Sequence, residues 1–474
     1  MMGDMMMGCK NNLRFGQSGK TTRAKITRRN LLVSGAVAPA LAACQGGYVK
    51  PILPGHRIDI LSSGAGLMVD NEDKTPITIP QPKLVSEWPI TGRVPSHRGE
   101  NYAWGGLHRR WHHDIGAGIS EPDLLAWVAL GSWGRGIIPV TPVVQNGRLF
   151  VMDAQGVVRA FSWPGMRKLW KLNPRSKKSQ ASNLGGGIGV DGDTLYIIDG
   201  VSKALAVHVA TGKIKWQVNI NTPGRSAPTI ANGAIYFGTL DEHFFALDAK
   251  TGRQLWRYAA TATETTIFEQ PAPAVANGIV VAGFGGGDLV AFRAESGEVV
   301  WSNMLGSVNN EARALNLSSV SGLPVVVDNI VYAVSMAQIL TAVDIRTGRH
   351  VWERAVASQN SILCVGDWLY IISLDQQVAC IDRLSGHVRW ITQLRRFHNL
   401  EFEKGIVSWF GPILAEGQLV CLSTLPENGM ARLDPITGNI ISIDAMEAVS
   451  YFPPIVVDKQ MLIITNDGYL RSYG

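Results

Sequence analysis

From about residue 141 onward the hydrophobic positions fall in short runs bounded by turn residues, and the runs recur with a long period. In one unit they are Ala227-Pro228-Thr229-Ile230, Ala234-Ile235-Tyr236-Phe237-Gly238 and Phe244-Phe245-Ala246-Leu247. Runs this short, punctuated by Gly, Asn and Asp, predict strands. Asn232-Gly233 separates the first two and predicts a tight hairpin, because the favoured two-residue turn needs the positive φ that Asn and Gly tolerate. Asp248 to Gly252 then turns the chain into a fourth strand that carries Trp256.

That turn and its Trp define a repeat. Ala246-Leu247-Asp248-Ala249-Lys250-Thr251-Gly252-Arg253-Gln254-Leu255-Trp256 is echoed by Ala342-Val343-Asp344-Ile345-Arg346-Thr347-Gly348-Arg349-His350-Val351-Trp352, giving the template A-x-D-x-x-T-G-x-x-x-W. Weaker copies run from Ala160 to Trp170, Ala206 to Trp216, Ala291 to Trp301 and Cys380 to Trp390. A further copy, Arg432 to Ser442, keeps Asp434, Thr437 and Gly438 but has no Trp. The mean step from Trp170 to Trp390 is 44 residues. The Asp is suited to accept backbone N–H bonds inside the turn, the Gly to supply a positive φ, and the Trp to wedge a large flat surface against the neighbouring sheet.

Four antiparallel strands in each unit of about 45 residues describe a β-propeller blade. Units start near 141, 185, 225, 269, 320, 358, 408 and 450. The last stops after its third strand, so the front of the domain must supply the fourth. Leu124-Leu125-Ala126-Trp127-Val128-Ala129-Leu130 is assigned that place, with Trp127 43 residues before Trp170. The predicted fold is all-β, an eight-bladed β-propeller of four-stranded antiparallel blades closed by an N-terminal strand that completes the last blade. Trp127, Trp170, Trp216, Trp256, Trp301, Trp352 and Trp390 are the expected blade-docking residues.

Length and charge sharpen the picture. A chain of 474 residues exceeds the ~250–300 at which one hydrophobic core stops growing, and a ring of repeats answers that. Charged residues are only 17%, against about 25% in a typical domain, and there are 51 glycines, as short strands and tight turns require. The formal charge of +6 sits entirely in residues 1–43; the remaining chain balances 37 basic against 37 acidic residues. No global basic field remains to hold a phosphate backbone, so nucleic-acid binding is excluded.

Residues 1–43 read as an export signal. A basic stretch precedes the apolar run Leu31–Ala43, whose 13 residues are too few to span a ~30 Å hydrocarbon layer. Leu41-Ala42-Ala43-Cys44 resembles a bacterial lipobox, which makes Cys44 the expected lipidation site. Gln45 follows it instead of the Asp that marks inner-membrane retention. Arg28-Arg29 fits either a twin-arginine export motif or the basic region of the general route. Residues 44–118, rich in Pro, are expected to form a lipid-anchored linker packing loosely on the ring, with short strands near Ile58–Leu61. The propeller is assigned to 119–474.

The Trp-bearing repeat resembles the pyrroloquinoline quinone (PQQ) propeller superfamily over about 120–474. That superfamily contains both quinoprotein dehydrogenases and the non-enzymatic BamB lipoproteins of the outer-membrane β-barrel assembly machinery. Leu323-Pro324-Val325-Val326-Val327-Asp328, followed by Leu340 to Gly348, looks like the BamB pattern, as does Pro453 to Asp458 followed by Asp467-Gly468-Tyr469-Leu470. The resemblance implies a periplasmic scaffold that binds BamA and nascent outer-membrane proteins at the outer membrane, without a cofactor and without enzymatic activity. The alternatives are a PQQ-dependent periplasmic dehydrogenase and a generic envelope binding propeller. Against the dehydrogenase, no two cysteines are adjacent and no calcium-binding carboxylate constellation is found.

Other features have bland readings. Gly283-Phe284-Gly285-Gly286-Gly287 lacks the helix and Lys-Ser/Thr of a phosphate loop and reads as a β-turn. His97, His108, His112 and His113 have no completing carboxylate or thiol, so no metal site is assigned. Cys364, Cys380 and Cys421 read as buried apolar residues, with Cys364 and Cys380 too far apart for a disulfide. The loop Asn219 to Arg225 joins two blades. The resemblance places partner contacts in inter-blade loops of this region, with Arg225 as the expected polar contact.

Overall fold

The computed structural model describes residues 66–118, 138, 140–175, 183–261, 270–306 and 318–474. Eight four-stranded antiparallel sheets follow one another around a ring. Blades 1 to 7 span 143–172, 187–219, 229–259, 274–304, 325–354, 363–393 and 409–444. Each runs from its innermost strand outward in chain order. Blade 8 takes three strands from 455–473 and its fourth from Arg109–Asp114. A two-stranded hairpin, Phe397–Asn399 with Lys404–Ile406, lies between blades 6 and 7. Among the described residues no helix is long and apolar enough to cross a membrane.

The repeat template acquires a joint as its meaning. Asp248 accepts the Thr251 backbone N–H at 2.8 Å and its hydroxyl at 2.7 Å, and the Thr251 hydroxyl is the main reason its carboxyl titrates below the usual range. The bound turn brings Gly252 against the indole of Trp216 in the blade before it. A Cβ on Gly252 would sit 2.6 Å from that ring, and its φ is +72°. The Trp216 indole N–H donates to the Ala249 carbonyl, one residue after the Asp. The same joint recurs from Trp170 to Val209, Trp256 to Ala294, Trp301 to Ile345, Trp352 to Arg383 and Trp390 to Pro435, with N···O distances of 2.7–3.1 Å.

The first residue of the template makes room for that indole. Ala246 pairs across the sheet with Trp256, beside a β-bulge that sharpens the local twist. The equivalent partners are Ala160, Ala206, Ala291, Ala342 and Cys380. In blades 3, 5 and 6 a second-strand tyrosine (Tyr236, Tyr332, Tyr370) packs on the Trp and donates its hydroxyl to the carbonyl that the indole uses.

Two expectations about the front of the chain are corrected. The segment 124–130 with Trp127 lies outside the described residues, and the strand that closes blade 8 is Arg109–Asp114. Trp111 there pairs with Ser472 beside the same bulge, in the register of Trp256 opposite Ala246. A fourth strand faces solvent on its outer edge, so the polar sequence Arg-Arg-Trp-His-His-Asp serves, and an apolar run is unnecessary. The ring therefore draws on residues before 119. The outer strand of blade 7 has no Trp because blade 8 offers no turn between its third and fourth strands to receive one.

Nor does 66–118 pack loosely; Ile58–Leu61 lie outside the described residues. Residues 85–105 form a strap across the ends of the innermost strands. Trp88 exchanges backbone hydrogen bonds with Val144 of blade 1; the Pro89 carbonyl accepts from Val190 in blade 2, that of Pro95 from Val275 in blade 4, and that of Ser96 from Val326 in blade 5. Gly99 donates to Cys364 of blade 6, Tyr102 to Leu414 of blade 7, and the Val85 carbonyl accepts from Asp458 of blade 8. Ile90 packs in the cluster that holds Ile230 of blade 3. Proline suits such a segment because it fixes φ and needs no N–H partner while its carbonyl still accepts.

The joint predicts a graded response to two glycine substitutions. Gly233 has φ +75° with open space around its Cβ position, so Gly233→Ala should cost about 1 kcal/mol of backbone strain. Gly252→Ala adds a clash with Trp216 and should cost roughly 1–3 kcal/mol more. Denaturant unfolding of the two variants checks this; equal losses would contradict it.

Candidate interaction surface

The innermost strands enclose an axial cavity of about 150 Å³ at the ends where the chain enters them, opposite the strap. Thr91 of the strap forms part of its lining, with Val140, Ala227, Ala272, Leu323 and Phe452 among the side chains around it. Among the described residues Arg225 is the one charged residue of the lining, and none of them there is a carboxylate.

Arg225 is not the exposed contact expected from the sequence. It is 2% exposed and pairs with Glu242 at 2.7 Å, both side chains being almost fully buried. The other carboxylate oxygen of Glu242 accepts the Gly285 N–H at 2.9 Å. The glycine-rich turn between the second and third strands of blade 4 thus holds a carboxylate from blade 3. A Cβ on Gly285 would lie 2.5 Å from Glu242 Oε1, so glycine is needed for that approach. Burying the cation with its partner ties two blades together, and removing either charge alone would strand the other. What the loop exposes is Asn219 and Asn221, ahead of Pro223-Gly224.

The histidines do not converge. His97 is buried in the strap, its Nδ1 2.8 Å from the Pro324 carbonyl oxygen. His112 lies beside Tyr469, and His113 lies edge-on to Phe161 with ring centroids 4.9 Å apart. Among the described residues no group of three or more His, Cys, Asp or Glu is arranged to hold a metal. Cys364, Cys380 and Cys421 are buried free thiols, and burial raises all three, the first two to about 12, so none is a ready nucleophile. Arg28, Arg29 and Cys44 lie outside the described residues.

The sequence reading missed two exposed apolar features. In the hairpin between blades 6 and 7, Leu400 is 63% and Ile406 77% exposed. The outer strand of blade 7, Ile440–Asp444, exposes Ile440, Ile441 and Ile443. The missing Trp at Ser442 was the available signal for the second.

A family profile described as "Outer membrane protein assembly factor BamB" matches residues 154–392, half of the chain. The chain belongs to the BamB family. The matched stretch runs from the turn of blade 1 to the outer strand of blade 6, which contains all six Trp donors of the joints. The Yersinia pestis BamB is 21% identical over 430 residues, covering 90% of this chain and 98% of the relative. The Escherichia coli K12 protein is 23% identical over 428 residues, covering 89% and 98%. The crystal structure of BamB from Moraxella catarrhalis superposes with a TM-score of 0.63 at 18% identity, covering 78% of this chain and 99% of that one. Quinohemoprotein alcohol dehydrogenase from Comamonas testosteroni gives 0.60 at 11% identity, covering 82% and 80%. These structural likenesses show the fold that BamB and the dehydrogenases share.

The strap carries a pH signature. Burial holds the His97 imidazole down at about 4, so its native form is neutral. Between that value and the ordinary ~6.5 the released strap binds a proton that the docked strap excludes. Docking is therefore strongest above about pH 6.5 and weakens as pH falls toward 4. Hydrogen exchange at the Gly99 and Tyr102 amides, corrected for intrinsic rates, should show increasing opening from about pH 7 to about pH 5. His97→Gln should flatten that trend; equal slopes in both proteins would contradict it.

Proposed function

We propose that this chain is an outer-membrane β-barrel assembly factor, a lipid-anchored scaffold on the periplasmic face of the outer membrane that binds BamA and assists insertion of outer-membrane proteins. The observation that carries this reading is the match along nearly the whole length of curated assembly factors. The ring itself favours binding over bond chemistry. Its recurrent Trp, Asp and Gly residues are engaged in holding blades together. The single charge of the axial lining among the described residues, Arg225, is already neutralised by Glu242. What remains to act is surface: loops, strand edges and exposed apolar side chains on a braced frame. Within it Arg225 serves as a positioning residue for the loop that carries Asn221. Cys44 supplies the anchor, since several acyl chains on one cysteine hold a protein to a bilayer where a single chain does not.

Two results are expected in native envelopes. A photocrosslinker at Asn221 should capture BamA. Cys44→Ser should move the exported protein from the membrane fraction to the soluble periplasm. Failure to recover BamA from any exposed inter-blade loop, or dye-linked alcohol oxidation by quinone-reconstituted protein, would contradict the reading.

A further inference from the structure

The fourth strand of every blade leaves one edge unpaired by its own sheet, and such edges invite pairing with another extended chain. Blades 1 to 5 carry a polar residue directly after the Trp: Lys171, Gln217, Arg257, Ser302 and Glu353, all exposed. Blade 6 is covered by its own chain. Val69 bridges Val388 in parallel, Asp70 donates to the Val388 carbonyl at 2.8 Å, and Val388 is 1% exposed. Asp73 clamps this segment to Arg389 of the same strand and to His387 just before it. The ring thus already holds a segment of its own chain against one outer edge, through a single parallel bridge.

Blade 7 lacks both protections. Ser442 replaces the Trp, and Arg432 stands opposite it where the other blades have a small residue. Ile441 and Ile443 flank Ser442 on one face of the strand, 51% and 42% exposed. Their alternation matches a partner with apolar side chains at every second position. The nearest charge on the strand, Asp444, is tied to Arg432 at 3.0 Å. Among the described residues no segment pairs with this outer edge.

We propose that the outer edge of blade 7 is a strand-addition site for an extended segment of a non-native outer-membrane β-barrel chain. This rests on the assembly-factor reading, which supplies such chains. The exposed pair favours that occupant because strands destined for a barrel alternate apolar and polar residues, whereas folded soluble proteins blunt their edge strands with charge. Main-chain hydrogen bonds to residues 440–444 give binding with little regard to sequence, and the isoleucines select for alternation.

The test uses the full chain and a labelled ten-residue peptide with apolar residues at alternate positions. Its control has the same composition with the apolar residues contiguous. The alternating peptide should bind more tightly, and Ile443→Lys should weaken it by about tenfold or more. Ser302→Lys, in the same register on blade 4, should leave binding unchanged, and thermal unfolding should show both variants folded. In native envelopes a photocrosslinker at 443, and not one at 302, should recover identified β-barrel chains. Equal binding of the two peptides, or equal weakening by both substitutions, would overturn the proposal. So would an Ile443-dependent dimer in sedimentation, which would make the occupant a second copy. BamA capture at Asn221 is read in parallel: if it persists while the peptide result fails, the edge assignment falls and the assembly-factor reading stands.

Discussion

The indole of one blade lies on the turn of the next, and its N–H reaches a carbonyl of that turn. Two features recur in all six contacts, a glycine with positive φ and a small residue opposite the Trp. In four of them an Asp (Asp248, Asp344, Asp382 or Asp434) also ties the turn, while His208 and Arg293 stand at that place in the other two. A typical net hydrogen bond contributes only about 1 kcal/mol, but the indole also buries a large area against the neighbouring sheet. The contact recurs from blade 1 to blade 7; blades 2 to 6 are donors on one side and acceptors on the other, blade 1 only donates and blade 7 only accepts. A blade on its own would leave both faces uncovered, so stability belongs to the ring.

The joints stop where blade 8 is assembled from two distant parts of the chain. Other devices serve there. Trp163 donates to Asp458 at 2.7 Å and packs edge-on to Trp111. Trp104 donates to the Tyr473 carbonyl at 3.1 Å. The strap contacts every blade in turn and floors the axial cavity, and the Arg225–Glu242–Gly285 link braces the opposite end. The frame that results holds its loops and edges in fixed positions, as a binding scaffold requires.

The repeat was legible in the sequence because it is periodic: Asp248, Thr251, Gly252 and Trp256 reappear at fixed spacing, and each performs the role its chemistry suggests. The small residue at the head of the template was visible as a pattern, but its purpose emerged only with the cross-strand pairing of Ala246 and Trp256. The closing strand was misplaced because an outer strand needs little apolar character beyond its Trp, so Arg109–Asp114 does not look like a strand. The strap looks like a loose linker in sequence because its attachment is made by backbone atoms, to which side-chain patterns give no clue. A lone cation in a loop suggests solvent, and nothing in sequence order points to Glu242 and Gly285 as the buried setting of Arg225.

The central claim is that the indole joints bind the blades into one cooperative ring. Hydrogen exchange of the indole N–H groups in protein labelled with nitrogen-15 at tryptophan tests it most directly. The account predicts that the indoles of Trp170, Trp216, Trp256, Trp301, Trp352 and Trp390 are strongly protected and become exchangeable together, at the free energy of global unfolding. Indoles that exchange at the rate of free tryptophan, or blade by blade with widely separated protection, would contradict it.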